Sequence, residues 1–318
     1  MTATLNQQIQ QFYDSSSALW EQVWGEHMHH GYYGADGKEK KERRQAQIDL
    51  IEELLIWGLA SPHPQSLSQA WERDLKPLLP FSTPGEKGLG DEGRSVIGNE
   101  VNNILDVGCG IGGSSLYLGQ KFNATVTGIT LSPVQAARAT ERAAAAKISD
   151  RTNFLVADAQ SMPFADNSFD LVWSLESGEH MPDKEKFLQE CYRVLKPGGT
   201  LLMATWCHRP TTEKPLTPDE QKHLEKIYRV YCLPYVISLP EYEAIARHLS
   251  FHNISTADWS AAVAPFWDIV ISSALNPSAI VGLCRSGWKT IQAALSLKLM
   301  SRGYDRGLIE FGLLRANK

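Results

Sequence analysis

The stretch LDVGCGIGGSS, residues 105–115, decides the fold. An apolar run delivers Asp106, and Gly108, Gly110 and Gly112 then turn the chain into a helix-forming segment. Glycines are needed at such a turn because the backbone must reverse and approach a ligand closely, which a side chain would block. Gly108, Gly110 and Gly113 also satisfy the GxGxxG pattern of dinucleotide sites, a weak signal by itself.

Working outward, strand and helix patterns alternate. NILDVG is a short apolar run, SSLYLGQKF is helical, and ATVTGIT is strand-like. SPVQAARATERAAAAK is a helix opened by a serine cap with proline in its first turn. NFLVAD, FDLVWS, the helix DKEKFLQECYRVL and the strand TLLMATW follow, the last introduced by the turn KPGG; GLIEFGLLRA is the expected final strand. This spacing predicts an α/β protein built on a mostly parallel sheet.

Three positions separate the possible ligands. Dinucleotide binding wants Asp or Glu at the end of the second strand, where GITLS places Thr130. Asp158, in VADAQSMPF at the end of the third strand, suits an adenine amino group. Asp106 would face the positively charged methionyl part of S-adenosylmethionine. The set favours a methyltransferase, with a dehydrogenase or a non-catalytic nucleotide-binding fold as the alternatives.

Composition bounds the rest. A chain of 318 residues that is 43% apolar and 21% charged can bury a full core, and a net charge of -5 argues against nucleic-acid binding. The start, MTATLNQQIQQF, shows no secretory pattern, and the five cysteines are odd in number and widely spaced. Both features predict a reduced, cytoplasmic protein. The apolar run from Ala261 to Cys284 is interrupted by Asp268, Asn276 and two prolines, so no spanning helix is expected. Four regions result: an aromatic-rich helical segment over 1–60, a Pro/Gly-rich linker or insertion over 61–102, the core over 103–207, and helices with the final strands over 208–318.

The order LDVGCGIGGSS, VTGITLSPVQ, VADAQSMPF, FDLVWSLESGEHM and RVLKPGGTLLMATW resembles the class I S-adenosylmethionine-dependent methyltransferases. YDSSSALWEQVWGEHMHHGYY and WSAAVAPFW are similar to the gamma-tocopherol C-methyltransferases in particular. The likeness covers nearly the whole chain apart from residues 61–100. It implies a Rossmann-like fold with a seven-stranded sheet, its last strand antiparallel, an N-terminal helical lid and C-terminal helical insertions. S-adenosylmethionine would be held at its amino-acid end by Asp106, Gly108, Gly110 and Gly112, at the ribose by Thr130, Leu131 and Gln135, and at the adenine by Asp158 and Ala159. Many relatives in the superfamily carry an acidic residue where Thr130 stands.

The implied reaction displaces a methyl group onto a phenolic ring carbon, which requires alignment, exclusion of water and proton removal but no metal. Glu179 and His180, in SLESGEHM after the fourth strand, are the expected catalytic pair; capping of the next helix by Glu179 is the structural alternative. GEHM also occurs at residues 25–28, where His27, His29 and His30 lack helical zinc-site spacing and are read as shaping the entrance or bonding substrate. Trp20, Trp24, Tyr32 and Tyr33 are assigned to the lid. Tyr228, Tyr231, Tyr235, Trp259, Phe266, Trp267 and Trp288 are groove candidates for an isoprenoid tail, each with a core role as the alternative. A small hydrophobic phenolic substrate and loose peripheral membrane contact complete the expectation; the sequence does not address oligomeric state.

Overall fold

The computed structural model describes residues 4–59, 101–212, 214–274 and 288–318. All but the last two residues of the expected 61–102 linker lie outside that set.

The sheet begins at β1 (Asn103–Val107) and runs through β2 (Thr125–Thr130), β3 (Thr152–Val156), β4 (Phe169–Leu175), β5 (Leu195–His208), β6 (His252–Asp258) and β7 (Ile309–Asn317). These seven strands pair in the order β3-β2-β1-β4-β5-β7-β6. β1 through β5 are parallel, as in Leu105 opposite Thr127, and β7 is antiparallel to both β5 and β6. Both faces are covered, so buried strand residues alternate between two cores. On β5, Leu202 and Ala204 pack on one side with Leu50, Leu54, Trp173 and Phe311. Leu201 and Met203 pack on the other with Phe187, Leu188 and Tyr242.

Helices cross between strands: α3 (Gly113–Phe122), α4 (Pro133–Ala145), α5 (Lys184–Val194), α6 (Pro218–Tyr231), α7 (Leu239–His248), and the shorter α8 (Ser260–Val263) and α9 (Pro265–Ala274) before α10 (Trp288–Asp305). Their starts follow the sequence signals. Ser132 caps α4 ahead of Pro133, and Thr217 with Glu220 forms a capping box on α6. Asp183 caps α5 through Lys186 N, so Glu179 is free of that duty.

Two helices precede the sheet, α1 (Leu5–Trp24) and α2 (Arg43–Leu59). Trp20, Trp24, Tyr33, Leu50 and Leu54 belong to the same buried cluster as Trp173 and Leu202, so this region is part of the core as well as a cover.

The strand order reverses between β1 and β4. In an open α/β sheet the crevice beyond the carboxyl ends of such strands is where ligands bind. The chain leaves β1 into Gly108–Gly112 and leaves β4 into Glu176–His180, so both motifs singled out in the sequence reach one place.

Candidate active site

A cleft with about 1140 Å³ of open space lies at that reversal point. Asp106, Gly108, Gly110, Thr130, Leu131, Gln135, Glu179 and His180 line it. A smaller recess of about 350 Å³ adjoins it through shared residues Gly108, Thr130, Leu131, His180 and Met181, and adds Asp158 and Ala159. The exception among the expected residues is Gly112, which lines neither. Its φ of +82° begins α3 in the left-handed region, and a Cβ there would press on Ala139 and the Phe154 ring. Gly112 is therefore required for the turn and for packing, whereas a Cβ on Gly110 would meet no protein atom within 4 Å.

The floor is polar and largely buried. Asp106 is 2% exposed and accepts a hydrogen bond from Ser115 Oγ at 2.5 Å. Burial pushes its carboxyl up to about 7, so a cationic group arriving beside it gains from its ionisation. Thr130 Oγ1 donates to Gln135 Oε1 at 2.8 Å, a local bond that fixes both at the expected ribose position. Asp158 accepts from Gln160 N and from Asn6 Nδ2, each at 2.8 Å.

The expected catalytic pair occupies a short helical turn, Gly178–His180. Thr205 Oγ1 donates to Glu179 Oε2 at 2.6 Å, and Glu179 is 1% exposed. Burial, reinforced by the charge of Glu176, pushes the Glu179 carboxyl up to about 7. Burial and the neighbouring Lys184 bring His180 down to about 3, which leaves a neutral imidazole. Its Nε2 is 2.6 Å from the Tyr13 hydroxyl. Lys184 Nζ holds the turn by donating to the Gly178 and Glu179 carbonyls at 2.9 Å.

The N-terminal segment contributes residues with no local sequence signal. Along α1, Asn6 reaches Asp158, Tyr13 reaches His180, and Asp14 accepts from Ser132 Oγ. Ile9, Phe12, Trp20 and Trp24 add apolar lining, and Met28 and His29 follow. Of the four aromatics assigned to a lid, Trp20 and Trp24 line the cleft; Tyr33 is buried in the core, and Tyr32 packs on Trp259. Of the three histidines, His29 lines the cleft. His27 lies under α3, its Nδ1 close to where a Gly113 Cβ would be, and His30 is fully buried against Glu176.

Most C-terminal groove candidates are absent from the cleft. Tyr231 lines it, joined by Trp206 from β5, which the sequence reading passed over. Phe266 and Trp267 are fully buried in the core, because α9 packs its apolar face inward against α1. Tyr228 is half-buried against that core, Tyr235 is partly exposed beneath the Lys184 ammonium, and the Trp288 side chain lies outside those described.

The sheet order, the glycine turn at the reversal point and the buried carboxylates at the end of β1 and after β4 define a class I S-adenosylmethionine-dependent methyltransferase. The methyltransferase domain family matches residues 105–203. A tocopherol O-methyltransferase, chloroplastic, of Arabidopsis thaliana is 43% identical over 100% of this chain and 83% of its own length. A probable tocopherol O-methyltransferase, chloroplastic, of rice is 44% identical over 99% and 78%. The 2-methyl-6-phytyl-1,4-hydroquinone methyltransferase of Synechocystis is 33% identical over 95% and 84%. Among solved structures, one described as a putative sarcosine dimethylglycine methyltransferase from Galdieria sulphuraria superposes with TM-score 0.72 at 24% identity, covering 96% of this chain and 98% of its own. The chain belongs to the tocopherol O-methyltransferase family.

These relatives correct one expectation. A cytoplasmic location does not stand, since the two plant relatives that match over essentially the whole chain are named as chloroplastic. Free, scattered cysteines indicate reducing surroundings and do not tell one such compartment from another. Among the described residues, no helix is long and apolar enough to cross a membrane.

The residues present fit the family's cofactor. Gly110 leaves open space where a side chain would stand, Asp106 offers a buried carboxylate, and Asp158 lines the adjoining recess. Bound there, S-adenosylmethionine supplies a sulfonium-activated methyl group.

Proposed function

We propose that the protein methylates the chromanol ring of gamma-tocopherol, and of delta-tocopherol, at the carbon beside the ring hydroxyl. The supporting observation is Glu179: a buried carboxylate, raised to about 7, facing a cleft whose walls are Ile9, Phe12, Trp20, Trp24 and Trp206. Ring methylation leaves a hydrogen on the carbon that must depart before aromaticity returns. A carboxylate that is half ionised near neutral pH is well matched to take it.

In this reading Asp106, Gly108 and Gly110 bind the amino-acid end of the cofactor, Thr130, Leu131 and Gln135 the ribose, and Asp158 and Ala159 the adenine. Thr205 orients Glu179 through its 2.6 Å bond. Neutral His180, steadied by Tyr13, shapes the wall between cofactor and acceptor. α1 excludes water along the length of the cleft, and the aromatic lining favours a ring-shaped acceptor. The reading takes ring-carbon over oxygen methylation because a raised carboxylate suits removal of a carbon-bound hydrogen. The compartment that accompanies it is the plastid, on the names of the two plant relatives.

Labelled methyl transfer to a panel of tocopherols, quinols and amines tests the assignment. Gamma-tocopherol should be the best acceptor; a preference for an amine or for an unrelated lipid would replace it with the second reading, a methyltransferase for another small molecule.

A further inference from the structure

Lys184 is the one buried lysine among the described residues, at 2% exposure. The buried arginine, Arg209, meets the Glu220 carboxylate at 3.0 Å, whereas Lys184 makes no such pair among the described residues. A buried cation without a carboxylate partner is costly. Nor does its place, the first residue of α5, serve that helix, because a helix N-terminus favours anions. What the ammonium touches is the turn that carries Glu179. It donates to the Gly178 and Glu179 carbonyls, each at 2.9 Å, and the Tyr235 ring lies 4.9 Å away, a further favourable contact for a cation.

Glu179 lacks any other cation. It is 1% exposed, and its hydrogen bond from Thr205 comes from a neutral group. Tyr13 on α1, Cys207 on β5, Tyr242 on α7 and Tyr304 on α10 all feel its charge, but burial pushes each of them up, so all four are uncharged at neutral pH. Glu176, on the same loop, opposes ionisation of Glu179, and Lys184 favours it. The influence is mutual: burial brings the Lys184 ammonium down to about 7, and the charge of Glu179 acts to raise it.

We propose that Lys184 is the positioning residue of the proton acceptor: it fixes the turn that carries Glu179 and supplies the positive charge that stabilises the Glu179 carboxylate. This rests on the reading above, in which Glu179 takes the hydrogen from the methylated ring carbon. In that step the C–H bond breaks, its electron pair returns to the ring, and the proton passes to the carboxylate. Lys184 gives up no proton. Its charge holds Glu179 ionised before the step, in a place where burial and Glu176 both favour the neutral acid.

The test separates the charge from the hold on the turn. Lys184→Gln keeps an N–H donor for the carbonyls and removes the charge; Lys184→Met removes both. In the pH–rate profile of methyl transfer to gamma-tocopherol, either change should move the midpoint up by about 1 unit or more, and so slow the reaction about 10-fold on the acid side. Placed in Glu179→Gln, the same changes should add no more than about 2-fold. A wild-type midpoint in Lys184→Gln would overturn the proposal. The reciprocal effect needs neither lysine variant: with lysine carbon-13 labelled at Cε, the Lys184 signal should titrate at lower pH in Glu179→Gln than in the wild type. A Lys184 titration that Glu179→Gln leaves unmoved would equally overturn it. If Glu179→Gln itself keeps the rise of rate with pH, the reading of Glu179 as proton acceptor falls instead.

Discussion

Glu176 grips His30 by two bonds: the His30 backbone N–H donates to Oε1 at 2.6 Å, and the imidazole Nδ1 donates to Oε2 at 2.8 Å. Trp206 Nε1–H adds a third at 3.1 Å. Burial pushes the Glu176 carboxyl up, but the facing His30 outweighs it and holds the group below the usual carboxylate range. Glu176 has a φ of +54°, a conformation that costs a non-glycine residue about 1 kcal/mol or more. That strained residue ties the end of β4 to the segment carrying His29.

Glu176→Gln should therefore act on its neighbour. Removing a negative charge beside Glu179 lowers the pKa of that carboxyl from about 7, so the midpoint of the pH–rate profile moves toward acid. A profile with an unchanged midpoint would show that Glu179 does not set it.

Glu179 gives two further expectations. Turnover should rise with pH through about 7 as the carboxylate forms, and Glu179→Gln should lose that limb and about 100-fold or more in rate. The stability sign is opposite. A carboxyl whose folded pKa is raised favours the folded state fully at low pH, and that contribution is lost as pH rises from about 4.5 to 7. Glu179→Gln should match the wild type in thermal unfolding at pH 4 and exceed it at pH 8, by up to about 3 kcal/mol.

The glycine turn separates two roles. A Cβ on Gly108 would lie 2.2 Å from Ser177 Cβ, while one on Gly110 meets nothing. Gly110→Ala should fold, losing about 1 kcal/mol for its positive φ, yet bind S-adenosylmethionine at least 10-fold more weakly. Gly108→Ala should lose substantially more stability. Calorimetry of both variants checks the contrast.

Asp106 predicts proton release on cofactor binding. Its carboxyl, raised to about 7 when buried alone, should ionise beside a cationic ligand, so affinity should weaken as pH falls below 7. Asp106→Asn should flatten that dependence and weaken binding by roughly 10-fold or more. Titrations in buffers of different ionisation heat would register the released proton.

The parts legible in the sequence are those written locally. LDVGCGIGGSS specifies strand, turn and helix within eleven residues, and the serine cap before Pro133 marks a helix start by itself. Gly112 shows the limit of that reading, because a glycine needed for packing on Phe154 looks the same as one needed for a ligand. Glu176 is legible in SLESGEHM as part of the loop after the fourth strand that faces the cofactor, but its partner His30 is not, being 146 positions away; Tyr13 is not legible as a site residue, since its partner His180 is 167 positions away. Within His29-His30 the chain is not helical, so adjacent side chains turn to opposite sides, one to the cleft and one to the core. Trp267 went to the core because α9 packs on α1, a tertiary choice its own sequence does not record.

The most direct test of the account is where the methyl group ends up. Incubation of the protein with gamma-tocopherol and S-adenosylmethionine carrying a carbon-13 methyl label, followed by carbon NMR of the product, distinguishes the two bonds that can form. The account predicts a label at the chemical shift of an aryl methyl group, with the ring hydroxyl still free. A methoxy signal, or no labelled tocopherol at all, would contradict it.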